Sequence, residues 1–166
     1  MKMKNSDHLP LYGVGPLYGG IVASLTVAGC VAGSLVPFGR VPQAKIPLLV
    51  FGIFLIVYGA SLWVRAVIVA KLDDGIKENR LVTGGVYSRV RNPIYSAIMF
   101  ACTGALCITG NLLFLPLFFV FRALMTVMMK NTEEKWLTER FGKEYINYCK
   151  HVNRAIPWFA KKGDKK

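Results

Sequence analysis

Two polar stretches of this chain hold the side chains that chemistry needs: Lys71 to Arg91, and the tail from Asn131 onward. The first contains Asn79, Arg80, a Thr83-Gly84-Gly85 turn, Tyr87 and Arg91, and runs into Asn92-Pro93. The second opens near the acidic pair Glu133-Glu134. Between them, Arg122 is the one formal charge from Ile94 to Met129. An ionisable group at such depth points to function by default, and snorkelling to the membrane edge is the competing account. Other chemistries find little support. The histidines are His8 and His151 alone, and Cys30, Cys102, Cys107 and Cys149 show no metal-ligand or redox spacing. The cysteines read as small buried hydrophobes. Gly84-Gly85 belongs to no G-x-G-x-x-G between a strand and a helix, so a soluble dinucleotide fold is unsupported.

The elements that must position these residues are apolar. Hydrophobic residues make up 54% of the 166-residue chain, mean hydropathy is +0.41, and one domain is the natural count. Leu17 to Phe38 and Ile46 to Val64 carry no charge and match the roughly 20 residues of a transmembrane helix. From Ile94 to Met129 the apolar run is too long for one span. As a single helix it would measure about 54 Å against a core of ~30 Å. Thr109-Gly110-Asn111 lies near its middle and predicts a tight hairpin. The expected fold is all-α and integral to the membrane, a single domain with four transmembrane helices near 17–38, 46–64, 93–109 and 112–130. Asn92 is expected to cap the third span, with Pro93 at its first position.

Four spans put both termini and the 65–93 segment on one side. Of 21 Lys and Arg, all but Arg40, Lys45 and Arg122 then share that side. The positive-inside tendency makes it the cytoplasm, which suits a multi-pass protein of the cytoplasmic membrane. The net charge of +12 follows from this asymmetry and from contact with anionic lipid, and no separate basic domain calls for nucleic acid. The first sixteen residues hold Asp7, His8, Pro10 and Pro16, unlike a cleaved signal peptide. In the tail, Leu137, Phe141, Tyr145, Tyr148 and Val152 recur at three- or four-residue steps and predict one amphipathic cytoplasmic helix. Taken alone, that helix reads as one lying on the membrane surface.

The order of the motifs says more. From Leu81 the chain gives L-V-T-G-G-V-Y, R-N-P-I-Y, a hairpin, E-E-K-W-L, F-G-K-E-Y-I-N-Y and R-A-I-P. Over about 70–158 this resembles the isoprenylcysteine carboxyl methyltransferases and phospholipid methyltransferases, which use S-adenosylmethionine. The resemblance implies cofactor contacts from the 71–93 and 131–158 segments: Asn79, Arg80, Leu81 and Val82 before the turn, Tyr87 after it, then Arg91, Asn92, Pro93, Ile94 and Tyr95, and the acid Glu133. Asn92 stands where many relatives have His. Met129 stands where isoprenylcysteine enzymes have a substrate-holding Arg, which leaves Lys130 and Arg122 as candidate catalytic-site anchors for an anionic acceptor. A continuous helix would set Arg122 and Glu133 nearly on one face. Tyr87 and Tyr95 would offer ring faces to the sulfonium, Glu133 would accept hydrogen bonds from the cofactor's ammonium or ribose, and the first turn of the third span would offer N–H groups to its carboxylate. A lipid or other lipophilic acceptor would enter from the bilayer.

The resemblance puts carboxyl methyl esterification of isoprenylcysteine first. Methylation of a phosphatidylethanolamine-type amine or of a small lipophilic acceptor is the alternative. An NADPH-dependent sterol-type reductase shares this kind of architecture. A small transporter is the non-enzymatic reading, disfavoured because no span carries Asp or Glu, and a purely structural protein would not require the ordered motifs.

Overall fold

The computed structural model describes residues 13–69 and 80–158, and Asn79 lies outside them. Its elements are helical, with no strand among the described residues. Helix α1 spans Gly15–Leu35, α2 Lys45–Val64, α3 Pro93–Ile108, α4 Leu117–Asn131, α5 Glu133–Phe141 and α6 Lys143–His151. Three runs are long and apolar enough to cross a membrane: Gly15–Leu35, Pro42–Ile68 and Leu112–Phe141. Pro93–Ile108 is apolar but shorter, about 24 Å at 1.5 Å per residue.

These helices are apolar almost all round, the mark of a helix in lipid or deep in a core. Val27 and Val31 on α1, Val50 and Phe54 on α2, and Phe119 and Val127 on α4 are exposed. The inner faces carry Tyr18 and Val22, Leu55 and Leu62, Met99 and Leu106, and Phe121, Met125 and Met129. Helix α3 is the central member, packed on α2 and α1. The α2–α3 crossing is close because both helices present glycine there: a Cβ on Gly52 would lie 2.6 Å from the Gly104 carbonyl oxygen, and one on Gly104 would lie 2.5 Å from that of Gly52. Small residues at helix contacts are how membrane helices gain van der Waals contact without a hydrophobic driving force. Thr26 and Thr103 return their hydroxyls to the carbonyls of Val22 and Met99, 2.7 Å in each case, so neither presents a bare donor.

The predicted hairpin turn is present, and it is polar inside. Gly110 takes φ +70°. Asn111 is fully buried. Its Nδ2 donates to the carbonyls of Val36 and Phe38, both at 3.1 Å, and its Oδ1 accepts from the Leu113 N–H at 3.0 Å. This side chain therefore ties the α3–α4 turn to the α1–α2 loop. The second arm differs from the expected helix beginning at 112. Leu112–Phe114 is a 3₁₀ turn, and α4 begins only after Pro116. Asn111 caps the short turn and draws the chain into it.

At the opposite end two expectations are corrected. The tail is two helices rather than one, because Gly142 takes φ +51° and ψ −123° and ends α5. The helix from Arg122 towards Glu133 is not continuous either: Thr132, at φ −129° and ψ −89°, separates α4 from α5.

Candidate functional site

The chain before α3 winds into a pocket wall. Gly85 takes φ +59° in the expected Gly-Gly turn, and Gly85–Ser88 forms a single 3₁₀ turn that buries Val86 and Tyr87. The tail folds against this wall. The Tyr148 hydroxyl donates to the Tyr87 carbonyl at 2.6 Å, the Arg91 N–H to the Asn153 carbonyl at 2.8 Å, and the Trp158 N–H to the Arg89 carbonyl at 3.1 Å. The apolar stripe of the tail thus faces protein, not only membrane.

Between the two segments lies a cavity of about 90 Å³ lined by Arg80, Leu81, Val82, Tyr87 and Arg91 from one side and Leu137, Phe141, Tyr145 and Tyr148 from the other. Burial pushes the Tyr145 and Tyr148 phenols well above the usual tyrosine range, so both stay neutral at ordinary pH. Arg91 is largely buried, with its side chain 9% exposed. Its Nη1 meets Cys149 Sγ and lies 3.4 Å from Glu134 Oε1, while its Nε has no acceptor. A buried donor without a partner costs about 1–3 kcal/mol, and a ligand oxygen would remove that cost.

The remaining expected residues form a second cluster. Asn92 precedes Pro93 at the start of α3 as predicted, yet its side chain does not cap the helix: Nδ2 donates to the Arg154 carbonyl at 3.2 Å. Pro93 is buried, brings no N–H, and is followed by Ile94 packed against the core. Tyr95 is buried against Tyr18 of α1, with ring centroids 5.3 Å apart, and its hydroxyl donates to Glu133 Oε1. The same oxygen accepts from the Val14 N–H at 3.0 Å, at the head of α1. Glu133 is thus joined to the first span. Arg122 and Lys130 are exposed on α4, whereas Met129, in the place of the relatives' arginine, is fully buried.

So Arg80, Leu81, Val82, Tyr87 and Arg91 come together around one cavity. Tyr95 and Glu133 pair with each other, and neither they nor Arg122 and Lys130 line the cavity. Sequence reasoning assigned no role to Tyr145 and Tyr148, whose stripe it gave to the membrane surface, or to Glu134 and Arg154. Arg154 takes Glu134 in a two-pronged bond, Nε to Oε1 at 2.6 Å and Nη2 to Oε2 at 2.9 Å. Its presence in the R-A-I-P motif was the available signal.

Comparison with known proteins gives the family of the chain. Residues 46–144 match the family model described as phospholipid methyltransferase. A protein-S-isoprenylcysteine O-methyltransferase of Schizosaccharomyces pombe is 33% identical over 81 residues, which are 49% of this chain and 34% of that protein. The chain therefore spans about a third of that relative's length. No solved structure matches. The reductase and transporter readings find no favour in these matches. With most of its membrane helices and the cavity wall from Arg80 to Arg91 inside the matched segment, the chain belongs to the phospholipid methyltransferase family.

Proposed function

We propose that this protein is a membrane methyltransferase that takes a methyl group from S-adenosylmethionine and gives it to a lipophilic acceptor drawn from the bilayer. The observation that carries the reading is the cavity in which Arg80, Leu81, Val82, Tyr87 and Arg91 meet Phe141, Tyr145 and Tyr148, with Arg91 Nε left as a buried donor. The residues suit the cofactor's chemistry. A guanidinium serves a carboxylate, and neutral tyrosine and phenylalanine rings serve a sulfonium or an adenine face. At about 90 Å³ the cavity takes one end of such a molecule, since pockets for whole ligands of this size hold ~300–1,000 Å³. Glu133 carries both of its bonds on Oε1; we assign Oε2 to the cofactor's ammonium or ribose. Asn79, Asn92, Pro93, Ile94 and Tyr95 complete the proposed binding set, as the family resemblance implies.

When bound, S-adenosylmethionine supplies a methyl group activated by its sulfonium. The protein's part is then to hold two partners in line and keep water away. Arg91 orients one end of the cofactor, Tyr87 and Tyr148 close the wall through their shared hydrogen bond, and α5 with α6 covers the cavity from the polar side. In this reading the chain has four spans with both termini and the 71–93 and 131–158 segments in the cytoplasm, so a water-soluble donor meets a membrane-borne acceptor at the interface. The test is incubation of the lipid-reconstituted protein with labelled S-adenosylmethionine and native lipid extract. Label is expected in a lipid-soluble product, and no binding of S-adenosylmethionine by folded protein would end the reading.

For the acceptor, the carboxyl group of an isoprenylcysteine comes first because of the S. pombe relative. A phosphatidylethanolamine-type amine is the second reading, favoured by Met129 in place of the substrate-holding arginine. The pH profile separates them. An ammonium must lose its proton before attack, so turnover of an amine acceptor rises with pH. A carboxylate is ionised near pH 7 already, and its turnover stays nearly flat there.

A further inference from the structure

Two guanidiniums share one carboxylate at the rim of the cavity. Arg154 holds both oxygens of Glu134, at 2.6 and 2.9 Å, and Arg91 Nη1 stands at 3.4 Å from Oε1. The fork is the stronger contact, because two parallel charge-assisted bonds fix both distance and plane. Hydrogen bonding to Glu134 also raises the Arg154 pKa above its already high value. Arg154 is itself pinned. Its carbonyl accepts from Asn92 Nδ2 at 3.2 Å, its neighbour Asn153 accepts from the Arg91 N–H at 2.8 Å, and the Ala155 carbonyl accepts from the Ser96 hydroxyl. Arg154 does not line the cavity; Arg91 does. The carboxylate that would otherwise rotate to satisfy Arg91 is thereby held where it reaches Nη1 only, and Nε stays without an acceptor. Two cations against one anion leave the cluster with net positive charge beside that donor.

We infer that Arg154 is a positioning residue that, through Glu134, aims Arg91 at the carboxylate of the cofactor's methionine portion. The inference rests on the proposed function and extends it to a residue outside the 46–144 segment that the family model matches. Without the fork, Glu134 turns onto Arg91 and quenches its Nε, so the site loses its preference for a carboxylate-bearing ligand while keeping its aromatic walls.

The experiment uses the full-length protein in lipid nanodiscs and two probes, S-adenosylmethionine and its decarboxylated analogue, with affinities measured by calorimetry. The wild type is expected to bind the analogue about tenfold more weakly, the loss of one charge-assisted bond. In Arg154→Gln that difference disappears: S-adenosylmethionine binds about tenfold more weakly and the analogue as before. Arg154→Lys, which keeps the charge but lacks the fork, restores part of the difference. Equal weakening of both probes shows a merely structural role and overturns the inference, as does unchanged discrimination. Should Arg154→Gln fail to fold, Glu134→Gln takes its place: with no carboxylate to turn onto Arg91, the preference for S-adenosylmethionine over the analogue is kept or grows, and its loss with an intact melting transition overturns the inference. A wild type that binds neither probe overturns the proposed function itself, and the inference with it.

Discussion

Glu133 holds the head of a membrane helix with one carboxylate oxygen. Its Oε1 takes the Val14 N–H, which α1 leaves unsatisfied as any helix start does, and the Tyr95 hydroxyl. Gly13 allows the approach: at φ +49°, a Cβ there would lie 2.1 Å from Oε1. Glu133→Gln removes the charge from both bonds and from the proposed cofactor contact. A charge-assisted bond is worth about 1.5–3 kcal/mol, so S-adenosylmethionine affinity should fall roughly 10- to 150-fold in calorimetry while the protein still folds. Unchanged affinity would assign Glu133 to anchoring α1 alone. Arg122 poses a separate question, since it is exposed on α4. If it anchors an anionic acceptor, Arg122→Ala raises the acceptor KM and leaves cofactor affinity unchanged. If it only snorkels, the change appears in the melting temperature and not in KM.

The elements divide into a glycine-packed membrane pair and a hydrogen-bonded polar cap. At the α2–α3 crossing, Gly52→Val places two methyl groups where backbone already meets backbone. Overpacking of this kind costs about 1–3 kcal/mol, and thermal unfolding in detergent should show a clear drop. A wild-type melting curve would mean that α2 and α3 separate without cost. The cap fails differently. Burial raises the pKa of Tyr148, whose hydroxyl donates to the Tyr87 carbonyl. A raised folded pKa means that the folded form holds its proton more tightly, so this contribution is complete below the unfolded value of about 10 and is lost as pH rises above it. Tyrosinate absorbance should therefore rise together with detachment of the tail above about pH 10, and Tyr148→Phe should weaken that coupling, with the rest carried by Tyr145.

At the scale of the whole molecule, polar chemistry gathers at one end. At one end Asn111 latches the α3–α4 turn to the α1–α2 loop by neutral hydrogen bonds. The other end carries the cavity, Arg91, Glu134 and Arg154. A four-span topology places these ends on opposite sides of the bilayer. In a background without native cysteines, Leu113→Cys and Trp158→Cys, both at exposed positions, should label with a membrane-impermeant thiol reagent from opposite faces of oriented vesicles. Labelling from the same face would refute the four-span arrangement and the cytoplasmic placement of the tail with it.

Local composition alone determined the helical class, the limits of α1 and α2 to within a few residues, the turn at Gly110 and the glycine turn before Tyr87. Each is a short-range consequence: a charge-free run must keep its backbone bonds internal, and Gly-Asn pairs favour a turn. The ordered motifs also marked Arg80, Tyr87 and Arg91 as partners. The tertiary structure decided what each of them faces. The tail stripe of Tyr145 and Tyr148 has the periodicity of a helix on any apolar surface, and periodicity does not name the surface. Gly142 looked like one residue in a helical run, but its positive φ splits that run so that α6 folds back over the cavity. Bonds from Val14 to Glu133 and from Arg154 to Glu134 join positions 119 and 20 residues apart. Which oxygen meets which donor at such separations depends on how the helices pack, and on glycine contacts such as Gly52 with Gly104 that bring distant segments within reach.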